Sequence, residues 1–286
     1  MEKEQDKLMR VKERFKIAID TWKTTLVIFK KNPAVLIPFL IVGLSDFLIL
    51  ALIYLAPRPP LSALLAPPIR VFYGEQFLHY PFNLLLIPRL FNYAHIVSTA
   101  FIGVLMTGVA IGMLKEVKQG LSPGILFNLI KSVRLYLRLL VIWLVMFGLV
   151  TLVFKSLPLI LQIKQRAALQ IAFYAGFLIS ILIQTIFMYA MPAVMIEEKR
   201  TWLAIKRGVT FARSAFLPTL LLVAIPTLIY IPIIVLRGNL PVLMSKFFPE
   251  VVLILLGLGI IVSVIMDCLI TCSTTILFLN QRRGER

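Results

Sequence analysis

The chain has 286 residues, 60% of them hydrophobic and only 15% charged. Soluble domains carry about 25% charged residues, so this composition excludes an ordinary soluble fold. The formal charge of +17 is spread over the segments between apolar runs rather than massed in one domain, which points to membrane topology and away from nucleic acid.

The apolar runs reach about 20 residues, enough to cross a hydrocarbon core, and they lack the alternating segments of about 10 residues that mark an outer-membrane β-barrel. The expected fold is therefore all-α, a six-span helical bundle forming a single membrane domain. Three basic amphipathic helices are expected to lie at the interface on its cytoplasmic side.

Residues 1–31 are the first of these helices, with Leu8, Val11, Phe15, Ala18, Trp22, Leu26 and Phe29 as an apolar stripe among charged residues. Because the first apolar run follows this charged stretch, no signal peptide is expected. Asn32–Pro33 ends the helix, since the residue before a proline leaves the α region. Span 1 covers 34–56 and contains Asp46. Prolines 57, 59, 60, 67 and 68 then mark an irregular outer loop.

From 69 to 93 the chain is rich in Phe and Tyr and is cut by Pro81 and Pro88. This suits an aromatic cover at headgroup depth, with a re-entrant segment as the alternative.

Span 2 covers 94–114 and holds Gly108 and Gly112 at GxxxG spacing, a pattern that lets two helix backbones approach closely. Packing within the chain is the expected use and a dimer face the alternative. The second basic amphipathic segment, 115–138, is broken at Gly120 and at Pro123–Gly124 and leads into span 3, 139–157. After a short loop with Lys155, Lys164 and Arg166 comes span 4, 167–191. Its series Ala168, Ala172, Gly176, Ser180 and Gln184 is expected to face the bundle.

A proline break at Pro192 and a charged turn at 197–200 lead into the third basic helix. Here Trp202, Ile205, Val209, Ala212 and Phe216 form the apolar stripe, and Lys206, Arg207 and Arg213 stand among the basic residues around it. Span 5, 217–236, is expected to kink at Pro226 and Pro232. Span 6, 251–279, precedes a basic tail, 281–286. Cys268 and Cys272, the only cysteines, lie inside span 6 and cannot build an extracellular disulfide framework.

With alternating spans, 22 of the 30 Lys and Arg fall on the side of both termini and 8 on the other. The positive-inside rule then places both termini in the cytoplasm. The layout also suggests three units, each an amphipathic helix followed by a helical hairpin, starting near residues 10, 121 and 200. This bare layout suits a bacterial or archaeal plasma membrane.

Asp46 and Asp267 are the residues that most need an explanation, because a carboxylate at the centre of a span costs about 2.5–3.5 kcal/mol on insertion scales. Each is 12 residues from the cytoplasmic end of its span. At about 1.5 Å per residue, both lie roughly 18 Å deep. If spans 1 and 6 are neighbours, the two acids meet. Ser263, Asp267, Thr271 and Thr275 also form one i, i+4 polar stripe. Two readings stay open: a path for protons or a cation, or hydrogen-bonded acids that hold helices together.

An enzyme is not expected. His79 and His95 are the only histidines, both assigned to the outer side, where an aromatic-belt role suits them. Glu75, four residues before His79, makes a single pair with no cluster at metal-ligand spacing. No serine stands in a nucleophile elbow, no phosphate loop is present, and no cofactor or metal is expected.

The segment Met191-Pro-Ala-Val-Met-Ile-Glu-Glu, followed by Ala204-Ile-Lys-Arg-Gly-Val-Thr-Phe-Ala-Arg-Ser-Ala-Phe, resembles the membrane domain of glycerophosphoryl diester phosphodiesterases and related six-span bacterial membrane proteins. The opening stretch 15–38, with Phe29-Lys-Lys-Asn-Pro, is similar to the start of such domains. The catalytic barrel of that family has no counterpart in these residues, so no catalytic residue carries over. The resemblance implies a membrane module with an envelope or lipid-related role.

The expected function is thus a non-enzymatic membrane module that engages anionic headgroups or a protein partner, a second copy included, through Trp202, Lys206, Arg207 and Arg213. The alternative is a small proton- or cation-linked transporter or channel using Asp46 and Asp267, with Gln184, Ser263 and Thr271 as further polar candidates. An intramembrane lipid enzyme would need converging polar residues that the sequence does not display.

Overall fold

In hydrocarbon a backbone N–H or C=O has no water to bond, so a spanning segment must satisfy its own backbone groups. The computed structural model describes residues 2–160 and 166–284, with side chains for 12–157, 172–240 and 242–281, and it contains no strand among them. In chain order the helices are α1 (Glu2–Lys31), α2 (Ile37–Leu55), α3 (Ser62–Tyr73), α4 (Phe82–Ser98), α5 (Val104–Lys118), α6 (Ile125–Ile160) and α7 (Arg166–Phe187). They continue as α8 (Ala190–Glu197), α9 (Thr201–Ser214), α10 (Phe216–Ile229), α11 (Ile231–Gly238), α12 (Leu240–Lys246) and α13 (Val251–Gly284). A 3-10 turn, Pro33–Leu36, precedes α2, and a π-helical turn, Thr99–Gly103, joins α4 to α5.

Among the described residues, six stretches are long and apolar enough to cross a membrane: Pro33–Leu55, Phe82–Lys118, Ile125–Leu157, Ala172–Glu197, Phe216–Gly238 and Val251–Gln281. The chain is a multi-pass membrane protein. The second stretch starts twelve residues before the expected 94, because α4 runs through Pro88 without stopping. Proline removes one hydrogen bond, which ends a helix readily in water and less readily where neighbouring helices hold the chain. Part of the expected aromatic cover is therefore span, and Leu84, Ile87 and Phe91 of α4 are buried at helical spacing.

The break expected near 120–124 falls there, with Gly120 at φ +80°, but α6 then continues through 138 into the span as one helix of 36 residues. At about 1.5 Å per residue it is roughly 54 Å long, well beyond a hydrocarbon core.

Two other proline sites shift their breaks toward the N-terminus. Pro192 lies inside α8 and the helix opens at Met188–Tyr189, just where a proline at 192 leaves the carbonyl of 188 without a donor. Pro226 lies within α10, and the interruption falls at Tyr230, ahead of Pro232. Lys164 lies outside the described residues, as do the side chains of Leu8, Val11, Arg166, Ala168 and Arg282 and all of 285–286.

The chain divides into two compact units: unit 1 comprises Met1–Pro38, Val104–Thr227 and Cys268–Arg286, and unit 2 comprises Phe39–Gly103 and Leu228–Asp267. In unit 1 the α5–α6 hairpin closes on small residues. A methyl group on Gly108 would run into Ser132 and Leu139, and one on Gly112 into Asn128. Ser132 donates to the Leu105 carbonyl at 2.8 Å, and the Glu116 carboxylate accepts from the Gly124 N–H at 2.8 Å beside the start of α6. Gly176 of α7 gives the ring of Phe154 its space.

Backbone contact is closest between α8 and α9, where a methyl on Gly208 would stand 2.8 Å from the Ala190 nitrogen. Around this contact Tyr189, Phe211 and Phe278 form an aromatic cluster, with ring centroids 4.4 Å apart for the first two and 4.9 Å for the last two.

The packed faces of the amphipathic helices differ from the expected stripes. On α1 Ala18, Thr21, Thr25 and Ile28 are buried, while Phe15 and Leu26 are exposed. On α9 the buried residues are Ala204, Gly208, Phe211 and Ala212, whereas Trp202 is 74% exposed. Small residues make much of the inner face because they allow close helix approach, while Trp22 and Ile205 of the stripes pack partly against the same core.

Unit 2 has its own core of Leu50, Leu84, Ile87, Phe91, Val252, Leu255, Leu256 and Ile260. Within it α2 and α13 are neighbours: a methyl on Gly43 would meet Val264 at 2.9 Å, and one on Gly257 would meet Phe47 at 3.6 Å.

Candidate functional site

The neighbouring of α2 and α13 in unit 2 brings Asp46 into the interior of that unit, where it is 1% exposed. Its partner comes from α4: His95 Nδ1 stands 3.1 Å from Asp46 Oδ1. One residue before the acid and three after the histidine, Ser45 Oγ and Ser98 Oγ approach to 3.3 Å and tie the same two helices together. The imidazole stacks on Phe91, one turn earlier on α4, with ring centroids 5.7 Å apart. Apolar helices thus hold a carboxylate–imidazole pair far from either end of its spans.

Asp267 lies on α13 in the same unit, exposed on its surface, and its charge interacts with those of His95 and Asp46. The two acids singled out by the sequence share one electrostatic neighbourhood with a histidine between helices.

His95 also lines a cavity of about 610 Å³ within unit 2. Its wall carries Arg89 and Asn92 from α4, Tyr230 from the break between α10 and α11, Arg237 from α11, and Ser263 from α13. Arg237 Nη1 donates to Tyr230 Oη at 3.1 Å, and the guanidinium rests against Gly259, where a methyl group would collide with it. Arg89 stacks over the Tyr73 ring, 5.6 Å from its centroid. Ser263 Oγ bonds back to the Ile260 carbonyl at 2.9 Å, so the hydroxyl is already satisfied within its own helix.

The remaining polar candidates lie in unit 1. Thr271 is buried there at 6% exposure, Gln184 is half-buried, and the adjoining Ile181 and Thr185 are fully packed. A strict i, i+4 row drifts around a helix of 3.6 residues per turn, so the packed face of α7 moves from Ala172 and Gly176 to Ile181 and Thr185. Of the basic candidates on α9, Lys206 and Arg213 are exposed with Trp202. Arg207 is half-buried and reaches Glu197, with its Nε 4.0 Å from the carboxylate.

Glu198, just past α8, holds Lys131 at 2.8 Å, and that ammonium keeps the carboxyl below its ordinary pKa. Glu75 and His79, four residues apart, are engaged differently: Glu75 binds Arg70 at 3.1 Å, and His79 is exposed.

The sequence reading missed His95 as a partner, and with it Arg89 and Arg237 as cavity residues. A usable signal existed. An intramembrane acid pairs with a base, and His95 is the only histidine within reach of a span. Assigning 69–93 to the interface hid it near the edge of span 2.

No family model, curated protein or solved structure matches this chain. The likeness to phosphodiesterase membrane domains rests on the quoted motifs alone. Among the described residues, no three His, Cys, Asp or Glu side chains converge in a way that could hold a metal ion.

Proposed function

We propose that the protein is a small proton-linked membrane transporter whose working site is the polar cavity of unit 2. The observation that carries this reading is the Asp46–His95 pair at 3.1 Å, with Asp46 buried among apolar helices and His95 partly exposed and lining the cavity. Ionisable side chains within spans mark ion and proton pathways. Histidine is the side chain whose ordinary pKa lies nearest physiological pH. A protonated imidazole 3.1 Å from Asp46 balances the charge of the carboxylate. When the proton leaves, Asp46 faces a neutral ring, and the charge at the cavity wall falls by one. Proton uptake is then linked to whatever charge occupies the cavity. Asp267, whose charge interacts with both groups, offers a second stop for the proton.

The test is proton entry into proteoliposomes, read with a trapped pH dye, with small organic anions and cations added in turn. Wild-type protein is expected to give a solute-dependent proton flux that Asp46→Asn, Asp267→Asn and His95→Gln each reduce severely. Variants that remain folded and keep the wild-type flux would sink the reading.

A second reading has its own observation. Trp202, Leu203, Lys206 and Arg213 are all exposed on α9, giving a basic helix with an outward aromatic. Such a helix suits an anionic headgroup surface, at about 1 kcal/mol for each basic residue. Replacing Lys206 and Arg213 with Gln should reduce a salt-sensitive preference for phosphatidylglycerol. A preference unchanged by both substitutions would remove α9 from consideration. On this reading both termini face the cytoplasm, as the charge distribution expects.

A further inference from the structure

We propose that the cavity of unit 2 is an anion site, and that its ligand is a small amphiphile with one carboxylate or phosphate head and an apolar body. This names the substrate class of the transporter described above and rests on that reading for its role in transport. The binding claim stands on separate observations.

The first is charge. The wall presents two guanidinium groups, Arg89 and Arg237, and no carboxylate is among its lining residues. Of the acids nearby, Asp46 is already paired to His95, and Asp267 stands outside the lining. The groups that meet a ligand are therefore cationic or neutral.

The second is how Arg237 is held. Tyr230 Oη accepts from Nη1 at 3.1 Å, Gly259 leaves room for the guanidinium plane, and the buried Nε has no hydrogen-bond partner among the described residues. Buried donors of this kind normally find an acceptor. A planar guanidinium reads carboxylate and phosphate oxygens by paired hydrogen bonds. The third is the rest of the wall: Phe91, Leu256 and Ile260 supply apolar surface beside the two cations. A volume of about 610 Å³ is in the range of small-molecule sites, roughly 300–1,000 Å³. An inorganic ion would leave that apolar surface unused.

The test is calorimetric binding of octyl phosphate to the full chain in phosphatidylcholine nanodiscs at one fixed pH. Octyl phosphate is expected to bind, inorganic phosphate to bind more weakly, and octyltrimethylammonium not to bind. Arg237→Gln should reduce affinity about tenfold or more, since it removes charge-assisted hydrogen bonds to the anion. Gly259→Ala retains every charge and only displaces the guanidinium, so a similar loss there ties the effect to geometry. It also guards against misfolding of the first variant.

Equal binding of the anion and the cation, or wild-type affinity in both folded variants, would overturn the proposal. Replacing part of the phosphatidylcholine with phosphatidylglycerol at high salt identifies the source: competition points to a lipid headgroup, and no competition to a soluble anion. Binding at fixed pH needs no proton movement, so a failed proton relay and a failed anion site give different results.

Discussion

In unit 1 the buried hydroxyls of Thr21, Thr25, Thr185, Thr219 and Thr274 each donate to a carbonyl one turn back in their own helix. In unit 2 Asp46 instead faces His95 across two helices, Arg237 reaches Tyr230 at the far end of its own helix, and several of these groups border a cavity. A polar group closed on its own backbone adds little directional chemistry and lets helices pack as if apolar. One that bonds across helices depends on a particular arrangement and keeps capacity for a ligand. The proposed site lies in the second unit, where such groups line the cavity.

The largest effect should come from testing how tightly each unit is packed. Gly208→Ala in unit 1 forces a methyl against the Ala190 backbone and should destabilise the protein by about 1–3 kcal/mol, the range for overpacking. Gly257→Ala in unit 2 meets the Phe47 ring only at 3.6 Å, an ordinary contact, and should leave the melting temperature nearly unchanged. Equal shifts in thermal unfolding would erase the distinction.

A smaller effect is expected from two tyrosine hydroxyls. Tyr189→Phe removes a buried bond to Thr219, which keeps its bond to the Ala215 carbonyl, so a loss of about 1 kcal/mol follows. Tyr230→Phe should alter stability less, because Tyr230 is only partly buried, yet it frees Arg237 and should weaken octyl phosphate binding. The two variants should therefore separate in opposite senses when scored by unfolding and by calorimetry.

The smallest effect concerns Glu198. Its folded pKa is lowered by Lys131, so its contribution is complete above the ordinary carboxyl value of 4.5 and is lost as pH falls through the folded value. Since the carboxylate is 66% exposed, the contribution should stay below about 1 kcal/mol. Comparing Glu198→Gln with wild type, the stability difference should vanish in acid.

Hydropathy carried the six spans because the length of an apolar run is a property of the run itself. The partner of Asp46 was not legible in the same way, because pairing α2 with α4 is a tertiary fact that no local pattern encodes. Prolines misled for a related reason. Pro88 reads as a breaker by the rules of soluble helices, yet it lies inside α4. The apolar stripes of α1 and α9 were assigned to the membrane interface, and spacing alone did not show which of their residues pack against the rest of the chain. In both helices Ala, Gly and Thr contribute much of the packed face, and Trp202 points away from it. Gly108, Gly112 and Gly176 could be picked out from spacing and size. Which helix each one meets required the structure.

Glu198 closes α8 with φ +55°, a left-handed conformation that costs a residue with a side chain about 1–2 kcal/mol. Relieving that backbone cost is therefore one route to a more heat-resistant protein. Glycine would relax the backbone and keep the carbonyl that accepts from Arg138 at 3.3 Å, so selection for stability alone would favour it. It would also release Lys131 at the start of α6. A glutamate there exchanges backbone ease for the Lys131 contact that ties the end of α8 to α6.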